Sequence, residues 1–168
     1  MMKKLPLIVV GTSLLALSIG LSLFTYSLVS QANQEVQLKA QITCKDFLLE
    51  FGDKPQELEF LECKNSKNVG LDALEARYRV SGKDAAKVES LLQQKFQMSK
   101  LKFLCCGWES IFVTKNGSNT PGKGYYTDNY GYRYTIDMHS EETLVNEREN
   151  WQNIPYFYIT VTAFLEDF

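Results

Sequence analysis

The sequence has few of the side chains and motifs on which most enzyme active sites depend. Among its 168 residues there is one histidine, His139, and there is no glycine-rich phosphate loop, no nucleophile elbow and no Cys-x-x-Cys spacing. Since these motifs hold phosphate groups, activate a serine or bind zinc, their absence argues against the enzyme classes that use them. We therefore expect a protein that is not an enzyme and that needs no cofactor and no metal ion.

The polar side chains offer only weak alternatives to this expectation. A nucleophilic pair of His139 with Cys105 or Cys106, or a zinc site of His139 and three cysteines, needs a proximity in space that the sequence does not indicate. The acidic pairs Glu141–Glu142 and Glu147–Glu149 are too close in sequence to oppose each other across a cleft, as the carboxylates of a glycosidase do. We expect His139 on the surface, at the end of a strand.

Charged residues are missing from the stretch between Lys4 and Glu35. Within it, Leu5 to Val29 is a mostly apolar run that would be roughly 37 Å long as a helix, against about 30 Å for the hydrocarbon core of a bilayer. Lys3 and Lys4 would hold its N-terminus on the cytoplasmic side. The run predicts an N-terminal hydrophobic helix that directs the rest of the chain out of the cytoplasm.

Two fates of this leader, residues 1–32, stay open. Ser30-Gln31-Ala32 places small residues where a signal peptidase cuts, which favours a signal peptide, whereas the length of the apolar run favours a retained signal anchor. In either case residues 33–168 form one exported domain, which is long enough for its own core. Sixteen of the 18 basic and all 20 acidic residues lie in it, so its net charge is −4. Because it also lacks a run of Lys and Arg, we expect no nucleic acid partner.

The four cysteines all lie in the exported part, where an even number predicts disulfide bonds. If a helix before the Gly52–Pro55 turn runs antiparallel to the strand after it, Cys44 and Cys63 lie at the same end of that unit and can form a bond. Cys105 and Cys106 are adjacent and would point to opposite faces of a strand. For them three states stay open, which are free thiols, a vicinal disulfide, or exchange with the other pair.

The pattern of apolar residues indicates an α+β domain. Its predicted fold is a single antiparallel β-sheet with helices packed on one face, preceded by the N-terminal hydrophobic helix. The predicted helices span about 34–51, 82–96 after a Ser81–Asp84 capping pattern, and about 140–150. The predicted strands are 57–63, 74–80, 101–105, 111–114, 130–138 and a central 156–165, and the predicted loops are Lys64–Gly70 and Lys115–Asn129.

Aromatic residues crowd the end of the second of these loops. Tyrosine and tryptophan provide large, rigid contact area at a low entropy cost, so recognition surfaces are rich in them. We expect Tyr132 and Tyr134 to cover one face of the sheet. We expect the loop from Lys115 to Tyr130, with Trp108 at a kink that leads into it, to be a contact patch, and its candidate binding residues are Trp108, Tyr125, Tyr126 and Tyr130.

Two segments, Lys102–Glu109 and Trp151–Thr162, resemble those of a family of small Gram-negative envelope proteins that is classed only as a domain of unknown function. The resemblance covers about Cys44 to Phe168, carries no activity, and implies a periplasmic location. We therefore expect a periplasmic protein-binding domain, such as an immunity-type inhibitor of a toxin. The alternatives are an accessory subunit of an inner-membrane complex, anchored through residues 5–29, and a periplasmic binder of a ligand or glycan.

Reporters fused after Phe168 test the predicted export. We expect alkaline phosphatase to be active in this fusion, because its disulfides form only outside the cytoplasm. A fluorescent protein that matures only in the cytoplasm should stay dark. Mass spectrometry of the mature N-terminus then distinguishes an intact anchor from cleavage after Ala32, and a fusion that is active only with the cytoplasmic reporter would contradict export altogether.

Overall fold

The computed structural model describes residues 42–68 and 70–165. The apolar run at 5–29, and with it the predicted N-terminal hydrophobic helix, lies outside these residues. Within residues 42–68 and 70–165, none of the helices has the length and apolar character that crossing a membrane requires.

The described residues form a single antiparallel sheet with a few helices, which confirms the predicted α+β class. The strands are β1 (Glu59–Asn68), β2 (Leu71–Ser81), β3 (Leu101–Leu104), β4 (Gly107–Val113), β5 (Asn119–Pro121), β6 (Gly124–Thr127), β7 (Arg133–Ser140) and β8 (Tyr156–Phe164). The helices are α1 (Phe47–Glu50), α2 (Gly82–Phe96) and a 3-10 helix (Arg148–Asn153). The sheet order is β1-β2-β8-β7-β4-β3, with β5 paired to β4 and β6 paired to β7.

One face of the sheet and one side of α2 form the core. Side chains alternate between the two faces of a strand, so every second residue of the central strand β8 faces inward. Helix α2 contacts β2, β6, β7 and β8 through the stripe that its spacing predicts. The fully buried residues of β8 and α2 are Phe157, Ile159, Val161, Ala163, Ala85, Val88 and Leu92, with Phe96 nearly so.

A glycine lets α2 begin directly against the 3-10 helix. A Cβ atom on Gly82 would lie 2.0 Å from the carbonyl oxygen of Trp151 and 2.3 Å from that of Ile154, which no other residue could accommodate without a shift of the backbone. Ser81 is the N-cap residue of α2, where its capping pattern predicts the start of the helix, but its side chain makes no capping hydrogen bond to the backbone. Its hydroxyl donates instead to the carboxylate of Asp84, at 2.8 Å.

The predicted loop Lys64–Gly70 is wrong for residues 64–68, because β1 continues to Asn68, which pairs with Leu71. This half of β1 is polar because it is an edge strand with little of its surface buried, so its composition resembles that of a loop. The predicted charge pairs across these strands are present for Arg79 with Glu59, at 2.7 Å, and for Arg77 with Glu62, at 3.5 Å.

The chain reverses between β3 and β4 earlier than expected. Leu104 pairs with Gly107, so Cys105 and Cys106 are the two residues of a hairpin turn and Gly107 is the first residue of β4. The prediction that the two cysteines lie on a strand is therefore wrong. Both of their thiols are free.

Two further boundaries differ from the prediction. The segment Lys115–Asn129 is not one loop, since it contains β5 and β6, and Asn116-Gly117 forms the turn before β5, with a φ of +83° at Gly117. The predicted helix at 140–150 is replaced by the 3-10 helix, which starts only at Arg148. Ser140 ends β7 instead of capping a helix, and its hydroxyl accepts the backbone N–H of Trp108 at 2.9 Å.

The predicted disulfide between Cys44 and Cys63 is present, with 5.4 Å between the two Cα atoms. The disulfide joins β1 to the segment before α1. Of the first predicted helix, at about 34–51, only α1 is helical in the described residues. Helix α1 is capped by Asp46, whose carboxylate accepts the N–H of Leu49 at 3.1 Å. A cross-link over 19 residues stabilises a domain by about 3 kcal/mol in the entropy model.

Glu89 is the one charged residue among the buried residues that the structure describes, at 3% exposure. Its carboxylate accepts two hydrogen bonds from Arg148, at 2.5 and 2.8 Å, and one from the backbone N–H of Leu101, at 2.6 Å. Arg148 also donates to the carbonyl of Leu101 at 2.9 Å and lies over the ring of Trp151 at 4.4 Å. The pair thus joins α2, β3 and the 3-10 helix.

Changing Arg148 to Met should destabilise the domain by about 3–5 kcal/mol, because it leaves the Glu89 carboxylate buried without its partner. Urea denaturation measures the loss. The control is Glu149→Gln, an exposed position of the same 3-10 helix, which should stay within about 0.5 kcal/mol of the original protein. Equal stability of the Arg148→Met protein would show that the pair does not hold these elements together.

Candidate protein-contact surface

Trp108 is a core residue, which corrects the prediction that it belongs to a contact patch. It is 4% exposed, and its indole N–H donates to the carbonyl of Val145 at 2.8 Å. Its ring packs edge to face against Trp151, with 5.0 Å between the ring centres. A partner could reach this side chain only if the core opened.

Tyr126 is half-buried and belongs to an aromatic cluster under β6. Its ring centre lies 4.1 Å from that of Phe51, 5.9 Å from that of Tyr134 and 6.0 Å from that of Phe96. These rings connect α1 and α2 to β6 and β7. Tyr126 therefore supports the surface from below, and we do not count it among the residues that a partner would bury.

The turn between β6 and β7 is fixed by Asp128. One carboxylate oxygen accepts the backbone N–H groups of Tyr130 and Tyr132, both at 2.9 Å, and the other accepts the hydroxyl of Tyr134 at 2.8 Å. Burial, with this hydrogen bond to Asp128, raises the pKa of Tyr134 above its usual range. Tyr132 and Tyr134 are buried as expected for a face of the sheet, and Tyr130 is presented to solvent on a constrained turn.

Large exposed apolar side chains concentrate in one part of the chain. Of eight in the described residues, four lie between 112 and 130. Their exposed fractions are 67% for Tyr125, 62% for Tyr130, 56% for Phe112 and 39% for Val113. We call these four residues and the pocket described next the contact surface. The sequence analysis did not identify Phe112 and Val113 as contact residues, although the Asn116-Gly117 pair after them strongly predicts a hairpin.

The pocket lies where β4 separates from β7. The two strands pair only at Glu109 and His139, whereas β6 pairs with the other half of β7. The resulting space has a volume of about 210 Å³. It is lined by Glu109, Ser110, Ile111, Pro121, Lys123, Asp137, His139 and Ser140.

The walls of the pocket combine charge with apolar surface. Ile111 and Pro121 are apolar, Glu109 and Asp137 are acidic, and Lys123 is basic. The hydroxyl of buried Ser110 donates to Asp137, so its proton is directed to a carboxylate and not to His139. This hydrogen bond differs from that of a serine nucleophile, whose proton is taken by a histidine.

His139 is the second-last residue of β7 and is partly exposed, close to the predicted position on the surface at the end of a strand. Its ring stacks on that of Tyr158, with 6.0 Å between the ring centres. No group of three or more His, Cys, Asp or Glu residues in the described part of the chain is placed to hold a metal ion together.

Part of the chain matches a known family. Residues 32–108 match the model of a family described as a domain of unknown function, DUF4952. The expected relation to such an uncharacterised family is thereby confirmed for this part of the chain, while Trp151–Thr162 lies beyond the matched residues. No curated protein and no solved structure matches the chain. The family description assigns no activity, so a functional hypothesis has to rest on the geometry.

Tyr125 and Tyr126 are neighbours on β6 and should respond differently to mutation. Tyr126→Ala should cost about 3 kcal/mol, because it leaves a void in the aromatic cluster, whereas Tyr125→Ala should stay within about 0.5 kcal/mol. Thermal or urea unfolding of the two proteins measures the difference. If Tyr125→Ala destabilised the domain as much as Tyr126→Ala, Tyr125 would be a structural residue and not a free contact residue.

Proposed function

We propose that this chain is an exported protein-binding domain that engages its partner through the contact surface. The observation that carries the proposal is the exposure of Tyr125, Tyr130 and Phe112 on the half of the sheet formed by β4, β6 and β7, which also holds a small charged pocket. Exposed aromatic residues are typical of the residues that contribute most of the binding energy in protein interfaces. The domain acts without catalysis and without a cofactor.

The contact residues are held in place before binding. Tyr125 is paired to Thr135 within the sheet, and Tyr130 lies on the turn that Asp128 fixes. Phe112 pairs with Thr120 in the β4–β5 hairpin. Because a backbone that is already ordered loses little conformational entropy on binding, such a surface converts more of its buried area into affinity.

The size of the pocket favours a protein partner over a ligand or glycan. At about 210 Å³ it is smaller than the roughly 300–1,000 Å³ that sites for small molecules usually occupy. A single side chain of a partner fits this volume. Its apolar walls suit the aliphatic part of such a side chain, and its charged walls suit a polar end.

The proposed location is the periplasm, with the leader at residues 1–32 as the export signal. An immunity-type inhibitor of a toxin is the concrete form that we favour, since the net charge of −4 on the exported part would attract a basic partner. The apolar run at residues 5–29 supports a second form, an accessory subunit anchored in the inner membrane.

Photo-crosslinking in cells tests the surface directly. A benzophenone amino acid is placed at Tyr125 or Tyr130 and, as a matched control, at Leu61, an exposed apolar residue on β1 at the opposite edge of the sheet. We expect the same partner to be captured from positions 125 and 130 and not from position 61. Equal capture from all three positions, or from position 61 alone, would contradict the proposal.

The captured partner then allows a quantitative test. Tyr125→Ala should weaken its binding by about tenfold or more, as expected for a hot-spot residue, while Leu61→Ala should change the Kd less than about twofold. Calorimetry with the purified proteins measures both constants. An unchanged Kd for the Tyr125→Ala protein would place the true interface elsewhere.

A further inference from the structure

The turn between β3 and β4 carries two free thiols that the proposed function does not use. Cys105 is exposed and Cys106 is partly exposed, and they are the only residues between the paired Leu104 and Gly107. The other two cysteines are already joined in a disulfide. Neither free thiol belongs to the hydrophobic core.

Cys105 has a backbone conformation that is unfavourable for its residue type. Its φ is +54°, in the left-handed region where glycine and asparagine are preferred in two-residue hairpin turns. Residues held in such a conformation are more frequent at functional sites, so Cys105 is a candidate for a functional role.

The turn is held from one side by the segment after β7. The backbone N–H of Thr143 donates to the carbonyl of Cys106 at 2.7 Å, and Ser140 accepts the N–H of Trp108 at 2.9 Å, just beyond the turn. The backbone that carries both thiols is therefore fixed before any ion binds, which lowers the entropy cost of chelation.

The two thiols lie close together. The side chain of Cys106 is hydrogen-bonded to that of Cys105, and the carboxylates of Glu142 and Glu109 are in the neighbourhood. Two thiols in contact can bind the same metal ion, which replaces their protons.

The number of ligands and the charge balance restrict the kind of ion. A tetrahedral zinc site needs four ligands, and the described residues offer no group of three. Two thiolates suit a soft ion that accepts two sulfur ligands. A divalent ion that replaces two protons leaves the local charge unchanged, whereas a monovalent ion would add a negative charge close to Glu109 and Glu142.

We propose that Cys105 and Cys106 together form a two-sulfur binding site for a soft divalent metal ion of the Hg(II) type. Binding breaks two S–H bonds and forms two metal–sulfur bonds. The two protons go to water, and no atom changes its oxidation state.

The test uses the full chain with the Cys44–Cys63 bond intact and Hg(II) as the probe, in the presence of an excess of a monothiol such as glutathione. Native mass spectrometry should find one Hg(II) per chain. Cys105→Ser and Cys106→Ser should each lower the retained ion at least about tenfold, because one remaining thiol cannot compete with the excess monothiol. Circular dichroism checks that both variants are folded.

Two outcomes would overturn the site. The first is loss of Hg(II) from the unmodified chain to the monothiol, and the second is equal retention by either serine variant, which would show binding by one thiol alone.

Charge provides an independent check with Cu(I) as a second probe. Glu142→Gln should strengthen Cu(I) binding and leave Hg(II) binding unchanged, and an equal effect on both ions would contradict the charge argument.

Discussion

The arrangement of this domain depends on the interactions of one buried carboxylate, that of Glu89. It lies in the middle of α2, and its partners are the first residue of β3 and Arg148 of the 3-10 helix. Arg148 in turn covers the rings of Trp108 and Trp151, at 5.5 and 4.4 Å. A charge in the core is costly unless all its oxygens are paired, so the pair permits few alternative positions of these elements. It thereby fixes how the β3–β4 hairpin meets the sheet.

The two ends of β4 consequently have different environments. Its first half is held by the Trp108 side chain in the core and by the hydrogen bond from Trp108 to Ser140. Its second half leaves β7 after Glu109 and pairs only with the short strand β5. Phe112 and Val113 are exposed because no further strand or helix among residues 42–68 and 70–165 covers this half. The same departure opens the pocket between β4 and β7, so the exposed apolar residues and the pocket have one structural cause.

The parts of the fold that follow from local periodicity were predictable, and the parts that depend on distant contacts were not. Strand β8 and helix α2 bury one whole face each, so the alternation and the helical stripe are clear in the sequence. The polar half of β1 carries no such signal, because an edge strand buries little. Exposure of the aromatic residues was harder to predict. Tyr125 and Tyr126 are adjacent residues of the same type, so the sequence does not show which of them is buried. The rings of Phe51 and Phe96, which pack against Tyr126, decide it.

Glu109 connects the two sites that we propose. Its carboxylate lines the pocket, and its charge also acts on the Cys106 thiol three residues away. Because a divalent ion that replaces two protons leaves the charge of the turn unchanged, this carboxylate would not couple the binding of Hg(II) to that of a basic partner in the pocket. A monovalent ion such as Cu(I) makes the turn more negative, so a basic side chain in the pocket would favour its binding. Binding free energies are reciprocal, so the bound monovalent ion would favour the basic partner by the same amount.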